Sequence, residues 1–464
     1  MRGTELLAFA LTNIKQRRTT RMVSFARRNI VQIQAGFTAG ASSVQLVEEC
    51  LRRIAETNNQ TRAMILVKAE EALASARIAE AEILSGRRRG PLHGIPIAVK
   101  DVIDVRGWPT TAGSKLFDGH VAEKDADCVS RLREAGAIII GKTNLHELTV
   151  GGHENPWFGK VVNPLNPERG TGGTSSGSAA AVAAGYCVAA IATDTGGSNR
   201  SPAAATGLVG YKPAKGAVSN VGALPTAPTF DAIGPIAVSV QDAWIVYSAM
   251  RGIPDSELRK IEPSGLTIGV CPDLCSADVD PAVGSAQGTW LDAAASAGAT
   301  IKVLQFARSD EVKEAGKAIL MYEFALKYGP LIDRHPEKVG GAVRNFVSEG
   351  LSIGEAAYRS ALAYRSEVMP DFRRMIGSVD VLASPVAPGL APRLADEMTR
   401  VGAEWVPYGT AGGSFRRWAN FFDVASIAIP LPIAGDLPAS IQIAALSTNE
   451  EALFSAAQAL SHLR

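Results

Sequence analysis

Between residues 41 and 57 the chain reads ASSVQLVEECLRRIAET. Val44, Val47, Leu51 and Ile54 recur at three- and four-residue spacing, which places them on one face of a helix. Ser42 and Ser43 precede that stripe as N-cap candidates, and Glu48 and Glu49 come before Arg52 and Arg53, the order a helix dipole favours. A second helix, rich in Ala and Glu, is predicted over about 68–84. The period then changes. Ile95–Val99 is a short apolar run of the kind a buried strand shows, ending at Lys100-Asp101. A helix at about 128–135 and an apolar strand at 137–140 follow. The alternation continues with helix 178–184, strand 188–192, helix 240–250, strand 267–270, helix 281–297 and strand 300–303. This pattern predicts an α/β protein with a mainly parallel sheet. Residues 310–375 read as mostly helical, 379–383 and 439–444 as late strands, and 450–462 as an amphipathic helix. With no internal repeat or low-complexity linker, residues 41–464 are expected to form one domain, with 310–375 as a helical, cap-like region.

Composition narrows the classes. The chain has 464 residues, 46% hydrophobic and 20% charged, which is ample for a large core. A net charge of +1 gives no global argument for nucleic acid or an anionic membrane. Locally, residues 1–40 carry Arg2, Lys15, Arg17, Arg18, Arg21, Arg27 and Arg28 against Glu5. They read as a basic, solvated extension; Leu6–Leu11 is too short for a convincing signal peptide, and Met22 is a second candidate start. The small-residue run Ala179–Ala192 is shorter than a membrane span. Cys50, Cys128, Cys187, Cys271 and Cys275 are odd in number and scattered, which points to a reducing, cytoplasmic setting. Cys271 and Cys275 have no second pair at zinc spacing, so no metal is expected.

The segment Gly172–Pro213, GGTSSGSAAAVAAGYCVAAIATDTGGSNRSPAAATGLVGYKP, carries the chemistry. Two hydroxyl clusters, Thr174-Ser175-Ser176 and Ser198, are each flanked by glycine, so the backbone can turn its N–H groups toward a ligand. A phosphate loop is excluded, because Ser178 and Ala179 stand where the Lys-[ST] pair belongs. The arrangement suits a serine nucleophile, which needs a base. His93, His120, His146, His153, His335 and His462 are available, yet none accompanies a G-x-S-x-G elbow. Lys100 ends the apolar run PLHGIPIAVKD, and poor solvation there would favour its neutral form. The same placement also suits an ordinary strand-end lysine reaching water.

Taken together, GPLHGIPIAVKDVIDVRGWPTTAGS and GGTSSGSAAAVAAG…TDTGGSNRSPAAATGLVGYKP resemble, in the same order, the two hallmark segments of the amidase signature family. Ser43–Ile54, AIIIGKTN at 137–144 and GGHENPWFGKVVNP at 151–164 resemble its neighbouring blocks. The likeness is dense over about 41–245 and loose beyond. It implies a large mixed, mainly parallel central sheet covered by helices on both faces. It also implies Ser198 as acyl-forming nucleophile and Lys100 as base. The bridging hydroxyl falls 24 residues before the nucleophile, at Thr174 where the family usually has serine, with Ser175 as second choice and a cis Gly173–Thr174 peptide. The N–H groups of Thr195, Gly196, Gly197 and Ser198 would form the oxyanion hole. Asp194, Arg200 and Asp101 are expected to be architectural, with the Asp101 charge near enough to tune Lys100. Gly151, Gly152, His153, Trp157, Phe415 and Trp418 are candidate substrate contacts.

The expected reaction is hydrolysis of a small-molecule amide or carbamate, with no cofactor, nucleic acid or membrane partner. A homodimer is expected only because such assemblies are common. The aromatic run containing Trp405, Tyr408, Phe415, Trp418, Phe421 and Phe422 favours an aryl or alkyl substrate over free glutamine. The rival from the same signature is an amidotransferase subunit that releases ammonia from glutamine within a complex. A non-catalytic scaffold is the third reading, and the intact Lys100 and Ser198 argue against it.

Overall fold

β2 (Pro96–Lys100), β3 (Ile138–Thr143) and β4 (Ala189–Asp194) are buried at every position, as strands covered on both faces must be. They belong to a computed structural model that describes residues 28–463 except 254–256, 276–277, 432, 434–436, 447 and 449. The other strands of the main sheet are β1 (Met64–Val67), β5 (Val209–Lys212), β6 (Ala232–Ala237), β7 (Thr267–Val270), β8 (Thr300–Val303), β9 (Val381–Pro385), β12 (Ala425–Leu431) and β13 (Ala439–Ala445). Eleven strands run in the order β1-β3-β2-β4-β6-β5-β12-β13-β9-β7-β8. β10 (Met398–Val401) and β11 (Glu404–Pro407) form a separate antiparallel pair.

The large mixed sheet flanked by helices is as expected, but parallel pairing does not dominate it. Parallel ladders join β3–β2–β4 and β9–β7–β8. Among the described residues every other junction is antiparallel. β5, β6 and β12, like β1, have no counterpart among the expected strands, and the first three take part in four of the antiparallel junctions. They contain Gly210, Gly234, Pro235 and Pro430, residues that read as turn signals although here they sit inside a sheet. The helices Arg200–Thr206 and Tyr408–Phe421 also have no counterpart among the expected helices.

The N-terminal boundary also moves. Residues 1–27 of the expected basic extension lie outside the described residues. Ile30–Thr38, within the same expected extension, is a helix capped by Asn29, with Ile30, Ile33 and Phe37 buried against the main core. The Ile30 N–H donates to Asp242 Oδ1 at 2.8 Å, and Gln34 Nε2 donates to the carbonyls of Pro91 and His93. This stretch is therefore part of the domain body. The 310–375 region is two long helices, Ser309–Arg334 and Gly341–Ile376, the second bent at Gly354. Among the described residues no helix is long and apolar enough to cross a membrane.

Gly141 sits on β3 where β1 crosses it with a register shift, and a Cβ there would run into the Leu66 carbonyl oxygen. Backbone cannot yield as a flexible side chain can. Gly141→Ala is expected to cost about 1–3 kcal/mol. Equilibrium urea unfolding should show a lower midpoint with an unchanged m-value.

Candidate active site

Lys100 is the last residue of β2 and Asp194 the last of β4, so both lie at the carboxyl ends of adjacent parallel strands. Sites in α/β sheets form at that edge. The Lys100 Nζ is buried and donates to Thr193 Oγ1 at 2.8 Å and Thr174 Oγ1 at 3.2 Å. Burial lowers its pKa to about 7, although Asp194 and Asp231 pull it partway back. Neighbouring β3 carries an equally buried lysine, Lys142, which pairs with Asp101 Oδ1 at 2.9 Å. Asp101 also accepts from the Thr111 backbone N–H and Oγ1. Its charge is thus taken up by Lys142 and not by Lys100, which has no ion pair among the described residues.

The two hydroxyl candidates for the relay are separated by the backbone. The Gly173–Thr174 peptide is cis. Thr174 is half-buried and its Oγ1 faces Lys100. Ser175 is fully buried, donates from Oγ to the Thr193 carbonyl at 3.2 Å, and gives its N–H to the Ser198 carbonyl at 3.2 Å. It holds the Ser198 turn and leaves Thr174 next to the lysine. Ser198 itself is half-buried.

The loop that presents Ser198 is built on Asp194. The Asp194 carboxylate accepts from the N–H groups of Gly197 at 2.9 Å and Asn199 at 3.2 Å. Arg200 closes on it with Nε and Nη2, both at 3.0 Å. Burial alone would raise the Asp194 pKa, but the Arg200 guanidinium outweighs it and holds the carboxyl well below the usual range. Gly197 needs its φ of +106° to make this turn, a value that glycine adopts freely. Because its N–H points at Asp194, Gly197 is removed from the expected oxyanion donors in this geometry. Thr195 Oγ1 donates to Asp231 Oδ1 at 2.6 Å. Burial pushes Asp231 up to about 6, against the hydrogen bonds from Thr195, Ala227 and Thr226. The segment bearing Asp231 is tied to helix Ser309–Arg334, because Glu323 accepts from the Thr229 N–H at 2.9 Å and the Tyr328 hydroxyl donates to the Pro225 carbonyl at 2.6 Å.

Of the expected substrate contacts, Phe415 and Trp418 are corrected. They are 0% and 3% exposed, respectively. Trp418 belongs to a hydrophobic cluster with Phe372 and Phe422, because helix Tyr408–Phe421 turns that face inward. Packed into the interior in this way, they give no support to an aromatic substrate. His153 uses both ring nitrogens, Nδ1 with Glu397 Oε2 at 2.9 Å and Nε2 with the Leu394 carbonyl at 3.1 Å. Burial opposes its protonation, but Glu397 raises its pKa overall. His153 thus latches the segment of Gly151 and Gly152 to the 394–397 loop. The Gly151 N–H is held by the Glu147 carbonyl, and Gly152 is half-buried. Trp157 Nε1 donates to Glu147 Oε1 at 2.8 Å, with Lys115 over its ring.

Thr193, Asp231, Asn420, Gln442, Arg416 and Arg417 are not marked out by the sequence reading. Gln442 has a signal, as the lone amide in the apolar run Ile441–Ala445. So do the adjacent arginines in an aromatic stretch.

Comparison with known proteins bears on this arrangement. A family model described as Amidase matches residues 45–454. A glutamyl-tRNA(Gln) amidotransferase subunit from Anaeromyxobacter sp. (strain K) is 34% identical, with 94% of this chain and 96% of that protein aligned. A solved amidase superposes with a TM-score of 0.88 at 31% identity, covering 94% of this chain and 100% of that one. The peptide amidase from Stenotrophomonas maltophilia gives 0.79 at 27% identity, covering 94% and 97%. With the signature segments, the sheet and a family match over nearly the whole length in agreement, this chain belongs to the amidase family.

Proposed function

We propose that this protein hydrolyses a carboxamide or related C–N bond, in an alkyl or aryl amide or a carbamate, through an acyl-enzyme on Ser198. The observation that carries the reading is the contact between buried Lys100 Nζ and Thr174 Oγ1 at 3.2 Å, in a lysine whose pKa is lowered to about 7. Such a lysine is substantially neutral at physiological pH and has a lone pair for a proton, whereas one near ~10.4 does not.

In this mechanism neutral Lys100 takes the Thr174 proton while Thr174 takes that of Ser198. Ser198 Oγ bonds to the carbonyl carbon, and the C=O π pair moves onto oxygen. The N–H groups of Thr195, Gly196 and Ser198 receive that charge, since the Gly197 N–H is held by Asp194. The intermediate collapses, the C–N bond breaks, and the amine leaves with the proton returned along the relay. Water then attacks the acyl-enzyme, loses its proton by the same route, and frees the acid and Ser198.

A second reading is a glutamine-dependent amidotransferase subunit that works in a complex. The name of the Anaeromyxobacter relative favours it, and the inward burial of Phe415 and Trp418 removes an objection to it. That reading expects glutaminase activity and a copurifying partner protein. Simple hydrolysis expects turnover of aryl amides or carbamates by the purified chain alone.

Three outcomes test the chemistry. Ser198→Ala should lower kcat by about 10³-fold or more and abolish the acyl mass adduct on the peptide carrying residue 198. Unchanged turnover would remove Ser198 as nucleophile, and an inactive wild type on amides, carbamates and glutamine alike would favour the scaffold reading. Thr174→Ala should cost roughly 10²–10⁴-fold and Ser175→Ala clearly less; the reverse order would make Ser175 the relay. Because Lys100 works unprotonated, log kcat/KM should climb with unit slope below about pH 7 and level off above it. A profile flat from acid to alkaline pH contradicts a titrating Lys100.

A further inference from the structure

Arg416 and Arg417 are adjacent on helix Tyr408–Phe421 and lie against the two glycines that precede Ser198. The Arg416 Nε is 2.5 Å from the point a Gly197 Cβ would occupy, and the Arg417 Nε is 3.5 Å from the corresponding point at Gly196. Both Nε atoms are buried and without a hydrogen-bond partner. Neither guanidinium makes an ion pair among the described residues. Arg416 donates Nη1 to the Val386 carbonyl at 3.1 Å and lies over the Tyr408 ring at 5.6 Å, neither of which neutralises its charge. Asp194, the acid that acts on it at longer range, is already closed by Arg200. Glu314, the acid that acts on Arg417, is exposed to solvent. Burial lowers the pKa of both residues, that of Arg417 to about 10, with Arg416 itself pressing on Arg417.

A buried guanidinium and a half-buried one side by side are costly unless an anion accompanies them. Contrast Arg200, equally buried, whose guanidinium is met by Asp194, Asn420 and Gln442. Arg416 is 4% exposed and sits behind Gly197, while Arg417 is half-buried and flanks the more open Gly196. The glycines at 412 and 413, which the two guanidiniums crowd, leave the planar groups room to lie flat on the helix. A planar fork of N–H donors matches a carboxylate.

We infer that the substrate carries a carboxylate, bound at the edge of Arg417 with Arg416 supplying the second positive charge, beside the Gly196–Gly197 turn. This rests on the proposed hydrolysis at Ser198 and names its substrate class: a short amide of an acid, with the anion a few bonds from the scissile carbonyl. Amides lacking a carboxylate would leave the arginine pair uncompensated in the complex, and would be selected against by charge rather than by shape.

The test is a matched pair of ligands that differ in that one group, the mono-4-nitroanilide of succinic acid and the 4-nitroanilide of butyric acid. Binding is measured by calorimetry on full-length Ser198→Ala protein at low salt, so no turnover is required. The acid should bind at least tenfold tighter than the neutral ligand. Arg417→Gln in that background should remove the preference, weakening the acid tenfold or more and the neutral ligand less than twofold. Arg416→Gln should act in the same direction, and ligand-free thermal unfolding identifies a variant that has lost its fold, in which case the other variant carries the comparison. Equal affinity for the two ligands, no detectable binding of the acid, or equal weakening of both by Arg417→Gln overturns the inference. If the acid is preferred yet wild-type protein hydrolyses neither anilide, the anion site stands and the reading of the reaction is what fails.

Discussion

The buried pair of Asp194 and Arg200 is the constraint on which the site depends. Both side chains are fully excluded from water. Breaking such a pair from one side typically costs ~3–5 kcal/mol, because the other charge is left buried alone. The pair persists because its remaining polar atoms find partners. Arg200 reaches Gln442 on β13 at 2.6 Å and Asn420 at 2.8 Å, and Asn420 returns a hydrogen bond to Asp194 at 2.9 Å. Gln442 continues to Ser384 on β9 and to the Phe415 carbonyl. One charge pair thus joins the end of β4, the turn before Ser198, helix Tyr408–Phe421 and two strands from the distant half of the sheet. Those elements cannot shift independently without stranding a charge.

Beside this saturated network lie groups that are under-compensated. Lys142 and Lys100 are on neighbouring strands and equally buried, but only Lys142 has a carboxylate. Lys100 has two hydroxyls as its company instead, and its burial lowers its pKa to about 7. The same contrast separates Arg200 from Arg416 and Arg417. Lys100, Arg416 and Arg417 thus lie without an ion pair among the described residues, close to a turn whose own charges are fully met.

Much of this is legible in the chain. The alternation of short apolar runs with helical stretches locates β2, β3, β4, β7 and β8 and most of the helices between them, though not Arg200–Thr206, because short apolar strands and longer helices have distinct periods. Lys100 stands out as a lysine closing an apolar strand, while its role and that of Thr174, placed by its interval from Ser198, are what the family resemblance implies. Strands β5, β6 and β12 are not legible, since Gly210, Gly234, Pro235 and Pro430 are local signals against a strand that the neighbouring ladders override. The antiparallel centre of the sheet is lost with them. An aromatic helix has no local mark of which face turns inward, which is why Phe415 and Trp418 read as pocket residues.

The sequence by itself determined the chemical inventory: a hydroxyl cluster, a second hydroxyl 24 residues later, and a lysine at a strand end. These are properties of local runs, and local runs carry their own periodicity and spacing. Only the tertiary structure decided how the groups are shared out. It gave Asp101 to Lys142, turned the Gly197 N–H away toward Asp194, set Thr174 rather than Ser175 against Lys100, and left two arginines unpaired beside the turn. Each of those choices is a pairing between groups whose approach is set by which strands lie side by side and how the turns between them close, and no local pattern encodes it.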